Sequence, residues 1–224
     1  MELSRIAELL RPFLIAPLAE TQLEYISAYI DLLLRWNARI NLTAVRQPEE
    51  IVTRHFGESL FAARHLFADD HRPSLGRPEQ SEGTDDRLID LGSGAGFPGL
   101  PIKIWRPDLR VTLIESNQKK ATFLREVVRS LELKDVAVFG GRAEGYSGDR
   151  AGMVTLRAVE RFEEALSVAS HLVALGGRIV LLIGQAQCAA AREALPRHKW
   201  DEPVPIPHSE SRVLFVGGAA GEPG

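Results

Sequence analysis

The segment Leu88-Ile89-Asp90-Leu91-Gly92-Ser93-Gly94-Ala95-Gly96-Phe97-Pro98-Gly99 constrains this chain more than any other. A short apolar run passes a carboxylate and enters a turn with glycines at 92, 94, 96 and 99; a stretch of helical character over 97–105 follows. Glycine reaches positive φ without steric cost and lets a ligand come close to the main chain. In open parallel sheets, ligands bind beyond the carboxyl ends of the strands. A strand that feeds such a turn and then a helix therefore predicts an α/β fold with a nucleotide-like cofactor on residues 92–99.

The remaining pattern extends this unit. Short apolar runs predict strands at 87–91, 110–114, 136–139, 153–156, 178–183 and 212–216. Helices are expected between them at 118–131, 162–175 and 187–195, with Gly176-Gly177 closing the third of the four helices of this part as a C-cap. The Ile-Val-Leu-Leu-Ile run at 179–183 reads as a strand buried on both faces. Strands alternating with helices imply a Rossmann-like, mostly parallel sheet covered on both faces. The front end differs. Leu23, Ile26, Ile30, Leu33 and Leu34 recur at helical spacing over 19–39. Pro48-Glu49-Glu50 opens a helical stretch over 49–67, either one helix interrupted near Gly57 or two short ones. Residues 69–86, rich in Pro, Gly, Ser and acids, read as a surface linker. The expected organisation is a helical extension (1–68), the linker, and a cofactor-binding core (87–224), in one structural domain.

The nature of the cofactor follows from charge. Gly94-x-Gly96-x-x-Gly99 also matches a dinucleotide fingerprint. Yet Asp90 stands two residues before Gly92, where a carboxylate would repel a pyrophosphate and attract a cation. Pro98 removes one backbone donor from any phosphate cradle. S-adenosylmethionine, with its ammonium and sulfonium, fits better than NAD. Glu115 ends the second strand about 20 residues past the turn, where an acid accepts from ribose hydroxyls in such folds. The Gly141-Arg142-Ala143-Glu144 loop after the third strand would border the adenine.

Composition limits the other classes. The net charge of -3 gives no support to a general nucleic-acid binder, although a local basic face would suffice. Arg35, Arg39, Arg46 and Arg54 in the front end, and Arg142 near the cofactor turn, are the candidate phosphate contacts. No apolar run reaches the roughly 20 residues of a membrane span. Glu2, Arg5, Glu8 and Arg11 interrupt the N-terminal apolar residues, so no secretory signal is expected. The single cysteine, Cys188, forms no internal disulfide and has no metal-site cluster around it. A cytoplasmic monomer without metal is expected.

These residues, taken in order, resemble a known family. Arg35-Trp36-Asn37, Asn41-Leu42-Thr43-Ala44-Val45 and Arg54-His55-Phe56-Gly57-Glu58-Ser59-Leu60 precede the glycine turn; Gly141-Arg142-Ala143-Glu144 and Arg157-Ala158-Val159 follow it. The set is similar to bacterial ribosomal RNA small subunit methyltransferase G, also called glucose-inhibited division protein B. The resemblance implies a Rossmann-like class I methyltransferase fold with a seven-stranded, mostly parallel sheet, and transfer of a methyl group from S-adenosylmethionine to guanine N7 in 16S rRNA of the small ribosomal subunit. It implies that Asp90, Gly92, Gly94, Gly96 and Phe97 form the cofactor turn, that Glu115, Ser116 and Asn117 hold the ribose end, and that Ala143 and Glu144 border the adenine. Arg157 would lie near cofactor and target base. The chain departs from the family's usual residues at Glu58, Leu156, Ile183 (usually lysine) and Glu115-Ser116-Asn117. Guanine N7 has an in-plane lone pair, so no general base is required. Asn41, His55, Ser59 and Arg157 remain candidates for the base pocket. Packing or capping suits Asn41 and Ser59 equally, and a structural role suits His55 better. The competing readings are a methyltransferase with another RNA or small-molecule target, an NAD-binding oxidoreductase, and an inactive binding module.

Overall fold

β1 (Arg87–Leu91) lies inside an eight-stranded sheet in the computed structural model, which describes residues 1–67 and 86–219. The strand order is β3-β2-β1-β4-β5-β8-β6, with β7 also paired to β8. The strands are β2 (Arg110–Ile114), β3 (Val136–Phe139), β4 (Ala151–Arg157), β5 (Val173–Gly184), β6 (Lys199–Trp200), β7 (Val204–Pro205) and β8 (Arg212–Gly218). β1 to β5 run parallel; β8 is antiparallel to β5, and β6 and β7 are antiparallel to β8. The strand order reverses between β1 and β4. That switch point opens the crevice in which such sheets bind ligands. The mostly parallel, helix-covered sheet is the one the sequence predicts. The strand count is eight among the described residues, because two-residue β6 and β7 carry too little pattern to be seen in sequence.

Side chains alternate across the sheet and build one core on each face. Leu88, Val111, Leu113, Val180 and Leu182 join the core under the front-end helices, while Ile89, Ile114, Val154, Leu181 and Phe215 join the core under the later ones. The front-end layer contains α1 (Leu3–Leu10), α2 (Glu20–Asn37), α3 (Pro48–Glu50) and α4 (Glu58–Leu66), with α5 (Gly99–Trp105) and α6 (Gln118–Ser130) beside them. The opposite layer holds α7 (Phe162–Leu172) and α8 (Gln187–Ala194). Of the residues whose periodicity predicts α2, Ile26, Ile30 and Leu33 are buried and Leu23 and Leu34 half-buried, with Tyr29 buried beside them.

Two expectations are corrected. The interruption expected near Gly57 is not a break in the chain's helical course: a π-helical turn over Ile51–Gly57 joins the short α3 to α4. Gly57 is required for another reason. A Cβ there would lie 2.6–2.9 Å from the Phe13 ring, so the glycine admits an aromatic side chain. Gly176-Gly177 do not cap α7. The helix ends at Leu172, and both glycines lie within β5, where the β4–β5 register shifts and Gly176 takes φ +72°. The linker expected over 69–86 lies outside the described residues except for Asp86.

Candidate active site

Gly92, Gly94 and Gly96 all adopt positive φ (+70°, +58° and +89°), the conformation for which glycine is needed. They have different neighbours. A Cβ on Gly96 would lie 2.6 Å from Leu100 Cδ1 and closer still to Tyr29 Oη. A Cβ on Gly94 would meet only the Gly92 carbonyl, at 3.8 Å. Gly96 therefore answers to packing, and Gly94 keeps open space beside the turn.

The amides of the turn are committed internally. Gly92 and Ser93 N–H donate to the Ile114 carbonyl, and Gly96 and Phe97 N–H to the Ser93 carbonyl. Gly94 N–H donates to Glu115 Oε2 at 2.8 Å, and Gly99 N–H to Asp90 Oδ2 at 3.1 Å. A pyrophosphate cradle needs free amides aimed at the ligand. Here two of them are taken by carboxylates.

Asp90 lies beneath the turn, 1 % exposed, and also accepts from Thr155 Oγ1 at 2.7 Å. Burial pushes its carboxyl up to about 6, against the opposing effect of these hydrogen bonds. Asp90 thus ties β1 to β4 and to the start of α5 and does not face the cavity. Phe97 is equally enclosed. Its ring stacks on Tyr29 (5.4 Å, 5°) and on His55 (4.7 Å, 23°), with Phe56 edge-on. Tyr29 Oη donates to the Ala95 carbonyl. These contacts fasten the front-end helices to the turn.

A cavity of about 440 Å³ opens above the ends of β1, β2 and β4, a size suited to a small ligand. Of the expected cofactor residues, Gly92, Glu115, Ser116, Asn117, Ala143 and Glu144 line it. Asp90, Gly94, Gly96, Phe97 and Arg157 are not in its wall. The sequence reading missed Lys120, Ala158, Val159, Glu160, Arg161, Glu164 and Val168, and it assigned Arg142 to RNA although that residue lines the cavity. The run 158–161 stands immediately after Arg157; its position after a strand end was the available signal. Glu115, 6 % exposed, accepts from Gly94 N–H and, through Oε1, from Asn117 N–H at 2.7 Å. Asn117 Oδ1 caps α6 by accepting from Lys119 and Lys120 N–H.

Beside this cavity, at the ends of β4 and β5, lies a charged cluster. Arg157 closes β4, and its Nη1 is 2.9 Å from His55 Nδ1. Its Nη2 donates to the Arg54 carbonyl at 2.7 Å and to Glu58 Oε2 at 3.1 Å. Since a guanidinium only donates, His55 Nδ1 accepts, and the ring proton sits on Nε2, which donates to Thr43 Oγ1 at 2.8 Å. Burial first, then the neighbouring arginines, lower His55 to about 3. Both ring nitrogens are engaged and the ring is neutral, so His55 holds Arg157 and is unsuited to serve as a base. Ser59 Oγ is spent on the His55 carbonyl at 2.6 Å within its own helix. Asn41 is exposed. Its neighbour Asn37, missed in the sequence, clamps the loop: Oδ1 accepts from Leu42 and Thr43 N–H, and Nδ2 donates to the Thr43 carbonyl. Arg35, Arg39 and Arg46 are exposed on the front end. Ile183 is buried and pairs with Val213.

The sheet order, the glycine turn and the cavity at the switch point define a class I methyltransferase fold. A precorrin-6y C5,15-methyltransferase from Geobacter metallireducens superposes with a TM-score of 0.51 at 15% identity, covering 62% of this chain and 83% of that one. TYW2 from M. jannaschii, solved in complex with AdoMet, gives 0.50 at 15% identity over 62% and 69%. The sequence profile of the rRNA small subunit methyltransferase G family matches residues 22–204. The ribosomal RNA small subunit methyltransferase G of Roseiflexus castenholzii is 41% identical over 211 residues, 89% of this chain and 84% of that protein. That of Chloroflexus aggregans is 38% identical over 212 residues, 89% and 83% of the two chains. The chain belongs to the rRNA small subunit methyltransferase G family.

Proposed function

We propose that this protein transfers the methyl group of S-adenosylmethionine to N7 of a guanine in 16S rRNA. The observation that carries the cofactor is the hydrogen bond from Gly94 N–H to Glu115 Oε2. It uses the turn's amide on a carboxylate and leaves a cavity wall in which Glu115, Glu144, Glu160 and Glu164 stand beside Lys120, Arg142 and Arg161. Such a wall accepts a cationic cofactor more readily than two phosphates. Gly92, Glu115, Ser116 and Asn117 would hold its sugar end, and Ala143 and Glu144 its base. When bound, S-adenosylmethionine supplies an electrophilic methyl on a sulfonium.

The protein's own work is positional. The N7 lone pair needs no deprotonation, so rate comes from holding the base in line with the methyl donor. Neutral His55 and buried Glu58 fix Arg157 next to Ala158 and Val159 of the cavity wall. The target base must leave its stack to reach that wall. The product base is cationic, and the carboxylates of the wall favour that charge. Nuclease digestion and mass spectrometry of 16S rRNA from a deletion strain tests the assignment. A 7-methylguanosine that disappears on deletion and returns with the wild-type chain is expected; an unchanged nucleoside profile overturns it. Calorimetry should show binding of S-adenosylmethionine and none of NAD.

A further inference from the structure

The charged cluster contains more than the positioning of Arg157 requires. Two guanidiniums, Arg157 and Arg212, pair with the carboxylate of Glu58, and a third, Arg54, lies close enough to act on His55 and Arg157. Arg212 opens β8 opposite Gly184, the last residue of β5, so it stands at the same end of the sheet as Arg157, along the edge formed by the strand ends. Glu58 is buried and pairs with Arg157 Nη2 through Oε2 and with Arg212 Nη2 through Oε1. The second pair is close, but it lacks hydrogen-bond alignment at Oε1. A second acid, Glu50, is half-buried and lies 3.3 Å from Arg54 Nη1. Cations therefore exceed anions at this edge.

Two buried donors of this cluster, Arg54 Nε and Arg212 Nε, have no partner among the described residues. Both side chains still reach the surface, with 43% and 26% exposure. Buried donors are rarely left unmade, and an orphan of this kind asks for an explanation. The Nε–H and one Nη–H of a guanidinium form a parallel fork that matches two oxygens of a phosphate. The edge also adjoins Ala158 and Val159 of the cofactor cavity.

We propose that Arg54 and Arg212 form a subsite for one phosphodiester oxyanion of the RNA strand that carries the target base, an inference that rests on the RNA substrate proposed above. The net positive charge attracts the phosphate to the exposed parts of the Arg54 and Arg212 side chains, a reorientation of each guanidinium turns its buried, unpartnered Nε–H onto the oxyanion, and Glu58 keeps Arg212 at the site. Fixing the phosphate beside Arg157 sets the register of the strand, and the base is then presented to the cavity.

The test measures binding of in vitro transcribed 16S rRNA to the full chain across a salt series, for wild type, Arg54→Gln and Arg212→Gln. Each substitution should weaken binding about fivefold near 0.15 M salt and flatten the log–log salt slope by ~0.7–0.9. Affinity for S-adenosylmethionine should stay the same. Arg54→Gln is the safer fold, because Arg54 makes no ion pair to Glu58; melting curves check both variants. A second measurement needs no RNA: inorganic phosphate titrated into the wild type should shift the Arg54 and Arg212 Nε–H resonances. Shifts without RNA binding would sink the RNA reading and with it the phosphodiester assignment, leaving a bare anion site. Unshifted resonances, or folded variants with wild-type slope and affinity, would overturn the subsite itself.

Discussion

Arg157 Nη1 donates to His55 Nδ1 across 2.9 Å, joining the end of β4 to the π-helical turn of the front end. A π turn is rare and is often found at functional sites. Here it brings Arg54, His55 and Glu58 to one strand end from residues that a regular helix would space differently.

That contact sets a pH dependence. His55 lies near 3 in the folded protein, below its ordinary value of 6.5. The unfolded chain therefore binds the extra proton between those two values. Stability is fully present above about 6.5 and falls as pH drops towards 3, by up to about 1.4 kcal/mol per unit. His55→Gln should flatten this window in denaturant titrations. A slope unchanged from wild type between pH 4 and 6 would mean that the ring is already protonated when folded.

Asp90 should act with the opposite sign. Its folded value near 6 exceeds its ordinary 3.8. Its contribution is therefore fully present below 3.8 and is lost as pH rises through 6. Asp90→Asn can keep an acceptor for Gly99 N–H and donate to Thr155 Oγ1. Relative to wild type, this variant should gain up to about 3 kcal/mol between pH 4 and pH 7. A constant difference across that range would contradict the assignment.

The glycines of the turn should separate into two kinds. Gly94→Val adds a side chain where no other part of the protein stands near, so the fold should lose only a few kcal/mol at most from the φ of +58°. Its affinity for S-adenosylmethionine should fall more than tenfold. Gly96→Ala instead drives a methyl into Tyr29 and Leu100 and should unfold the protein. Calorimetry and thermal melting distinguish the two; a Gly94 variant with native cofactor affinity would remove the turn from the binding site.

Gly57→Ala offers a test of packing against propensity. Alanine favours a helix by about 1 kcal/mol over glycine. The new methyl, however, would press within 2.6 Å of the Phe13 ring. A net loss of about 1–3 kcal/mol is expected, and Phe13→Leu should recover part of it in a double-mutant cycle. Additive losses would mean that the two side chains do not meet.

Local sequence was sufficient wherever a neighbour in the chain sets the answer. The glycine turn, the strand feeding it and the buried helix faces of α2 and α6 all follow from spacing and from glycine's φ freedom. So does the wall formed by Gly92, Glu115, Ser116, Asn117, Ala143 and Glu144, because each stands at or just past a strand end in a regular β-α-β order. Partners far apart in sequence decided the rest. Phe97 reads as a cofactor contact until Tyr29 and His55 enclose it. Gly57 reads as a helix break until Phe13 is seen against it. Arg212 has no local signal at all; pairing of β8 with β5 brings it to Glu58 from 154 residues away (212 − 58). Periodicity reports which face of an element is apolar, whereas the charge and shape of a site depend on which faces meet, and only the folded chain settles that.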